Sequence, residues 1–226
     1  MSLEANCMIS LANLFGNPYI GVYCSASERY AILLKNAEKT LVEPIRESLS
    51  VEVIETNISG STIVGSLVAM NSNGIILSNF ATEDELSLLP DDLEVAVMEE
   101  KYNAAGNNIL VNDRAALVNP GVSDESLRVI SDTFGVEAVR GTIAGITTVG
   151  SVALANGKGV LCHPRASEDD VEHLRSLFSG QVTLATLNYG IPWLGACAVA
   201  NNSGCVVGEK TTPIELGKLE DGLGYL

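Results

Sequence analysis

The sequence predicts an α/β propeller with fivefold pseudosymmetry, in which five ββαβ-like repeats close into a ring. Three ungapped segments that begin at Gly65, Gly150 and Gly195 share a glycine, an asparagine six places on and a second glycine nine places on. Two weaker copies are anchored at Gly21 and Asn108. Successive anchors lie 44, 43, 42 and 45 residues apart, so five units of about 45 residues account for a chain of 226 residues.

Each unit opens with a predicted β-hairpin. Apolar runs rich in Val, Ile and Ala flank a short turn that contains Asn71, Asn156 or Asn201. Asn and Gly tolerate the positive φ that tight hairpin turns need, so we assign these asparagines to turn geometry. Asn112 and Asp113 occupy a similar turn in the third unit.

A helix of two to three turns is predicted after each hairpin. The signal is a hydroxyl residue followed three places later by an acid, as at Thr82, Ser167 and Thr212. The hydroxyl accepts hydrogen bonds from amides that are left free at a helix start. Ser123 provides this signal in the third unit, whereas the first unit is less regular around Pro44.

A third strand follows each of the first four predicted helices. These strands are expected at residues 51–56, 93–98, 136–140 and 182–186. The fifth unit lacks a third strand, while the N-terminus carries a surplus apolar segment. We therefore expect residues near Cys7 to Leu14 to supply the missing strand, because closure removes the exposed ends of an open array. Residues 1–226 would then form a single domain.

The composition indicates a globular protein and excludes several classes. A hydrophobic fraction of 46% argues against intrinsic disorder. No window approaches the roughly 18 to 20 apolar residues that cross a bilayer. No Lys or Arg precedes Arg29, so the positive region of a secretory signal is missing. We expect a cytoplasmic monomer that does not bind membranes.

The formal net charge is −15, which opposes broad binding to nucleic-acid phosphates. The charge is uneven, because residues 47–100 contain eleven acids and no Lys or Arg. Two interpretations remain open for this stretch. It is either a solvated face that aids solubility or a surface that meets a basic partner.

The usual motifs of catalysis and of metal or cofactor binding are missing. The chain has no phosphate-binding glycine loop, no GxSxG nucleophile motif and no HExxH pair. His163 and His173 are its two histidines. The cysteines are odd in number and form no CxxC pair, which argues against a disulfide framework and a structural zinc site. We therefore predict no catalytic residues, no metal and no cofactor. The cysteines are Cys7, Cys24, Cys162, Cys197 and Cys205.

Several extended segments resemble the archaeal translation initiation factor 6 family. They are AAGNNILVNDRAALVNP (104–120), VGSVALANGKGVLCHP (149–164), and TLNYG followed by GACAVANNSG (186–204). Together with the fivefold repeat, the resemblance covers essentially the whole chain. It implies a pentein-type ring that binds the large ribosomal subunit at its intersubunit face and blocks joining of the small subunit. It also implies a part in large-subunit maturation, and no catalysis.

The same resemblance implies contact residues. The family's main partner is a large-subunit ribosomal protein of the uL14 type near the sarcin-ricin loop, with limited direct contact to rRNA. The family's GN motif matches Gly106 and Asn107, and a second, weaker match falls on Asn188 and Gly190. The second match is weaker because its neighbours, including Tyr189, depart from the family's polar and small residues.

One enzymatic alternative remains from the same architecture. Fivefold rings of this kind include hydrolases and amidinotransferases that act on guanidino groups through a Cys, a His and a carboxylate. Cys205 and His163 would be the candidates here. The repeat register opposes this, because Cys205 falls in the same apolar strand column as Ile75 and Val160.

Overall fold

The computed structural model describes residues 8–225, which form five three-stranded sheets. The strands are β1 Met8–Ala12, β2 Cys24–Ala26, β3 Tyr30–Leu33, β4 Glu52–Glu55, β5 Val68–Met70, β6 Gly74–Ser78, β7 Glu94–Met98, β8 Ile109–Val111, β9 Ala115–Val118, β10 Glu137–Arg140, β11 Ala153–Ala155, β12 Gly159–Cys162, β13 Gln181–Leu184, β14 Ala198–Ala200 and β15 Gly204–Gly208. The helices are α1 Lys39–Leu49, α2 Val64–Leu67, α3 Glu83–Leu86, α4 Ala105–Asn108, α5 Asp124–Phe134, α6 Glu168–Phe178, α7 Leu194–Cys197 and α8 Pro213–Gly222. Short 3₁₀ turns at Ile20–Val22 and Val149–Ser151 take the place of α2, α4 and α7 in the first and fourth units.

All five sheets have the same topology. Two strands form an antiparallel hairpin, and a third strand pairs in parallel with the second, as in β5, β6 and β7. In the fifth sheet the third strand is β1, which pairs in parallel with β15 from Met8–Gly204 to Ala12–Gly208. The predicted fold class and its closure by the N-terminal segment are confirmed, although Cys7 lies outside the described residues.

The helix starts follow their sequence signals. The side chains of Thr82, Ser167 and Thr212 each accept the backbone N–H three residues on, and in each case the acid at that position binds back to the cap. Ser123 likewise accepts the N–H of Ser126. The first unit differs, because its cap residue Glu38 makes no such bond. Within the described residues, no helix is long and apolar enough to span a bilayer.

Helix α3 contradicts the prediction of two to three turns, because it has only one turn of four residues. Pro90 follows closely, and a proline disfavours helical backbone at the residue before it. The segment from Ser87 to Asp92 therefore continues as a loop whose residue Leu89 is buried. The second unit lacks the long helix that the other four units have.

The hairpin asparagines act by hydrogen bonding, and the expectation that they adopt positive φ is wrong. Oδ1 of Asn156 accepts the N–H groups of Lys158 and Gly159, both at 2.9 Å. Its Nδ2 donates to the carbonyl of Asn201 at 3.2 Å and to that of Leu223, at the end of the next unit's helix, at 2.9 Å. Each such asparagine thus closes its own turn and joins its unit to the next.

The same bonding recurs around the ring. Asn71 donates to Asn112 and Phe134, and Asn201 donates to Ser27 and Leu49. Asn112 donates to the carbonyl of Asn156 at 2.8 Å, and Ser27 stands in the first unit where the others have Asn. At four of the five junctions, neighbouring units are therefore joined by buried side-chain amides, which are costly to leave without partners. Within residues 8–225, the side chain of Ser27 bonds only within its own turn, so the junction between the first and second units has no such bond.

Five glycines line the ring axis at the other end of the sheets. A Cβ at any of them would overlap the carbonyl oxygen of the equivalent glycine in the preceding unit. The third member is Gly106, two residues before the anchor Asn108 that the sequence suggested. We call this set the glycine ring, and its members are Gly21, Gly65, Gly106, Gly150 and Gly195.

Replacement of Gly150 by alanine should destabilise the protein strongly, because the new methyl group overlaps the backbone of Gly106 and Ile109. We expect Gly150→Ala to lower the free energy of unfolding by about 3 kcal/mol, measured by equilibrium denaturation. Gly217→Ala is the matched control, because Gly217 lies in α8 with no atom near its Cβ position. That variant should gain about 0.5 to 1 kcal/mol. Equal stability of the two variants would contradict close packing at the axis.

Candidate functional site

The topology separates two faces of the ring. The hairpin face carries the asparagine turns and the C-terminal ends of the long helices. The loop face carries the helix starts, the glycine ring and four tight turns that follow the outer strands. These turns span 14–17, 58–61, 143–146 and 187–191. All four predicted contact residues lie on the loop face.

Gly106 and Asn107 lie in α4, beside the opening of the cavity on the ring axis. Gly106 belongs to the glycine ring, so close packing alone requires a glycine there. Asn107 is half-buried, and its backbone N–H donates to the carbonyl of Ala104 at 3.1 Å. Its side chain makes no hydrogen bond within residues 8–225, so its amide is available to a partner.

Asn188 and Gly190 lie in the turn after β13. Asn188 is buried with φ of 48°, and its Nδ2 donates to the carbonyl of Pro18 at 2.8 Å. Its backbone N–H donates to Oγ1 of Thr211 at 3.1 Å. Gly190 is exposed with φ of 95°, in the left-handed region that favours glycine. The side chain of Asn188 therefore holds the turn from inside, and Gly190 lies at its surface.

Carboxylates at the helix starts brace these turns from the next unit. Glu85 accepts the N–H groups of Ser59 and Gly60 at 2.8 and 3.0 Å. Asp170 accepts the N–H of Ala144, and Glu38 accepts that of Phe15. A carboxylate at a helix start thus binds the backbone of the turn that precedes it.

Glu215 is the most heavily bonded of these acids. It accepts the N–H groups of Tyr189 and Gly190 at 3.1 and 2.8 Å, the hydroxyl of Thr186 at 2.8 Å, and the N–H of its cap Thr212 at 2.8 Å. Burial by itself raises the pKa of Glu215, but these hydrogen bonds outweigh burial and bring the pKa below its ordinary value. The charged form therefore stabilises the fold.

The contribution of Glu215 should depend on pH. Because its pKa is lowered in the folded state, its stabilisation is complete above the ordinary value of 4.5 and is lost as the pH falls through the folded value. We expect Glu215→Gln to lower the free energy of unfolding by about 2 kcal/mol at neutral pH. The difference from wild type should shrink below pH 4.5 in denaturation series. Glu220→Gln on the same helix is the control, and a gap that is constant with pH would contradict the assignment.

Exposed apolar side chains are concentrated on the loop face. Phe15 and Tyr189 occupy turn tips and are 71% and 83% exposed. Tyr19, Ile63 and Trp193 are exposed at equivalent positions, each two residues before a member of the glycine ring. Sequence reasoning missed this set. The fixed offset from the anchor glycine relates the three positions, but it does not show that their side chains are exposed.

The cavity on the ring axis is too small for an ordinary substrate site. Its volume is about 100 Å³ at the glycine ring and about 20 Å³ near the hairpin face, compared with roughly 300 Å³ or more for ligand pockets. Cys24 lines the larger part, and the wall there contains neither histidine nor carboxylate. At the narrow end, Glu28 accepts the N–H of Asn202 at 3.1 Å.

The proposed cysteine site is not assembled. Cys205 is fully buried in β15, as the repeat register predicted, and burial raises the pKa of its thiol. Burial also raises the pKa of Cys162 to about 12, and its neighbour His163 accepts the N–H of Arg165 through Nδ1 at 3.1 Å. Such thiols are poor nucleophiles. Among residues 8–225, no three His, Cys, Asp or Glu side chains are grouped to hold a metal ion.

Comparison with known proteins identifies relatives along nearly the whole chain. The model of the eIF-6 family matches residues 9–222. Translation initiation factor 6 of Pyrococcus horikoshii is 39% identical over 217 residues, which cover 93% of this chain and 96% of the relative. The factor of Picrophilus torridus is 39% identical over 216 residues, covering 96% of this chain and all of the relative. That of Methanosarcina mazei is 37% identical over 219 residues, covering 97% and 100%.

Proposed function

The chain belongs to the eIF-6 family of translation initiation factors, and from this membership we propose that it binds the large ribosomal subunit at its intersubunit face. Bound there, it prevents the small subunit from joining, and it takes part in maturation of the large subunit. The observation that carries the proposal is the agreement along 93% or more of the chain with proteins named translation initiation factor 6.

The loop face is the docking surface in this proposal. Exposed aromatic side chains clustered on one face mark protein interfaces, where Trp and Tyr contribute most of the binding energy. Tyr189 and Trp193 stand on this face with Gly190, and the amide of Asn107 is open to a partner beside the axis. Carboxylate bracing keeps the turn tips rigid, which lowers the entropy cost of binding.

The charge of the chain favours a basic protein as the direct partner. A net charge of −15 repels rRNA phosphates but attracts a positively charged ribosomal protein and steers the encounter. A uL14-type protein near the sarcin-ricin loop meets this requirement, with limited direct contact to rRNA. Such an interaction should weaken with salt, because ions screen exposed charges.

The mechanism in this proposal is steric occlusion by a monomer in the cytoplasm, without a chemical step. A rigid ring seated on the intersubunit face occupies space that the small subunit needs. The buried thiol of Cys205 and the narrow axial cavity support this interpretation over a guanidino-modifying enzyme. Neither feature offers a site that a substrate could enter.

The proposal predicts that the protein keeps ribosomal subunits apart. Purified large and small subunits should associate in the absence of the protein and remain separate at a saturating concentration of it, as measured by sedimentation through a sucrose gradient. The protein should migrate with the large subunit. Unchanged joining at saturation would overturn the proposal.

Substitution of Asn107 should weaken binding to the large subunit without unfolding the ring. We expect Asn107→Arg to raise the Kd by about tenfold or more, because it adds a bulky charge at the proposed interface. Pelleting with large subunits measures the Kd, and circular dichroism checks the fold. Ser176→Arg is the matched control, because Ser176 is exposed in the last turn of α6, away from the loop face, and gains the same charge. Equal affinities for the two variants would remove Asn107 from the interface.

A further inference from the structure

The groove between the first and second units lacks the helix that fills the equivalent groove elsewhere. In the other units a helix of ten or eleven residues packs between its own sheet and the preceding one, as α5 does against β6, β7 and β10. Each of those helices buries two or more residues. Helix α3 has one turn and buries none of its residues. The first and second units therefore meet at a junction that has no long helix.

A loop fills only the inner part of this junction. Leu89 and Leu93 are buried and join the apolar cluster between the two sheets. The outer part remains open as a groove of about 270 Å³. Its apolar lining comes from Tyr30, Ile54, Leu88 and Pro90, and Leu88 is 53% exposed. We call this space the open groove.

Acids surround the open groove. Glu52, Asp91 and Asp92 complete its lining, and the stretch 47–100 that supplies most of it contains no Lys or Arg. Asp92 pairs with Arg29 and accepts the hydroxyl of Tyr30. Within the described chain, neither Glu52 nor Asp91 forms an ion pair. Two carboxylates are therefore available to an incoming cation.

The open groove lies at the hairpin face, opposite the proposed ribosome-docking surface. Glu52 begins β4 and is paired with Tyr30, which follows the first hairpin turn. Asp91 and Asp92 precede Glu94, the start of β7, which is paired with Gly74 of the second hairpin. A partner in this groove would leave Asn107 and Gly190 uncovered. The two surfaces can be occupied at the same time.

We propose that the open groove binds a basic peptide segment of a second protein, with one apolar side chain seated between Ile54 and Leu88. Lys or Arg side chains on either side of that anchor pair with Glu52 and Asp91. The apolar lining and acidic rim suit this occupant, since charge steers the encounter and the buried anchor supplies most of the affinity. Nucleic acid and anionic lipid surfaces are repelled by the same rim.

A labelled lysine-rich peptide with a central tryptophan tests the proposal by fluorescence anisotropy at low ionic strength. We expect the wild-type protein to bind this peptide. The double variant Glu52→Lys/Asp91→Lys should bind it with a Kd that is at least about tenfold higher. Leu88→Ser should also weaken binding of this peptide. With a peptide whose tryptophan is replaced by serine, Leu88→Ser and the wild-type protein should bind equally. The neutral pair Glu52→Gln/Asp91→Asn repeats the test if charge reversal impairs folding.

The matched control is Glu137→Lys/Glu172→Lys. Glu137 begins the outer strand of the third unit, as Glu52 does in the first, and Glu172 is exposed on α6. An equal loss of peptide binding in this control would show that net charge alone attracts the peptide and would overturn the proposal. Failure of the wild type to bind would do the same. Self-association of the wild type that the groove variants abolish would assign the groove to a second copy instead.

Peptide binding at the open groove should be independent of ribosome binding at the loop face. Asn107→Arg should retain peptide binding, and the open-groove variants should still migrate with the large subunit. Loss of both activities in the same variant would show that the two surfaces are not separate and would overturn the inference.

Discussion

Contact between glycine backbones at the axis is the constraint on which the ring depends. Each member of the glycine ring lies so close to the preceding one that no side chain fits between them. The innermost strands can therefore converge, and each sheet can splay outward towards its third strand. The asparagine bonds and the long helices, whose C-terminal ends lie on the hairpin face, then align neighbouring units. The axis sets how near the units come, and the amides set how they are aligned.

The sequence was most informative where a local rule decides the structure. Helix caps at Thr82 and Ser167 and the closing role of the N-terminal strand could be predicted, because capping and strand counting need no knowledge of distant contacts. The anchor of the third unit is Gly106, whereas the sequence pattern suggests Asn108. The pattern is displaced by two residues because Ala115 replaces the second glycine of the repeat in that unit. The short α3 could have been predicted from Pro90.

The environment of the proposed contact residues could be predicted less well than the helix caps, because it depends on contacts between distant parts of the chain. Resemblance indicated Asn107 and, more weakly, Asn188 as contact residues, but the side chain of Asn107 is free and that of Asn188 is buried against Pro18 and Thr211. No periodicity distinguishes these cases. Exposure of Tyr19, Ile63 and Trp193 was also beyond the sequence, because an apolar residue beside an apolar run is ordinarily expected inside. Their position became meaningful only when the loop face was defined.

Pairing between β1 and β15 has a consequence for when the proposed docking surface is completed. The two strands come from opposite ends of the described chain, yet one sheet needs both. A ribosome that is still making this chain exposes β1 long before β15 exists, so the last sheet cannot form and the loop face stays incomplete during synthesis. A chain therefore acquires the complete proposed docking surface only after β15 has left the ribosome that produced it.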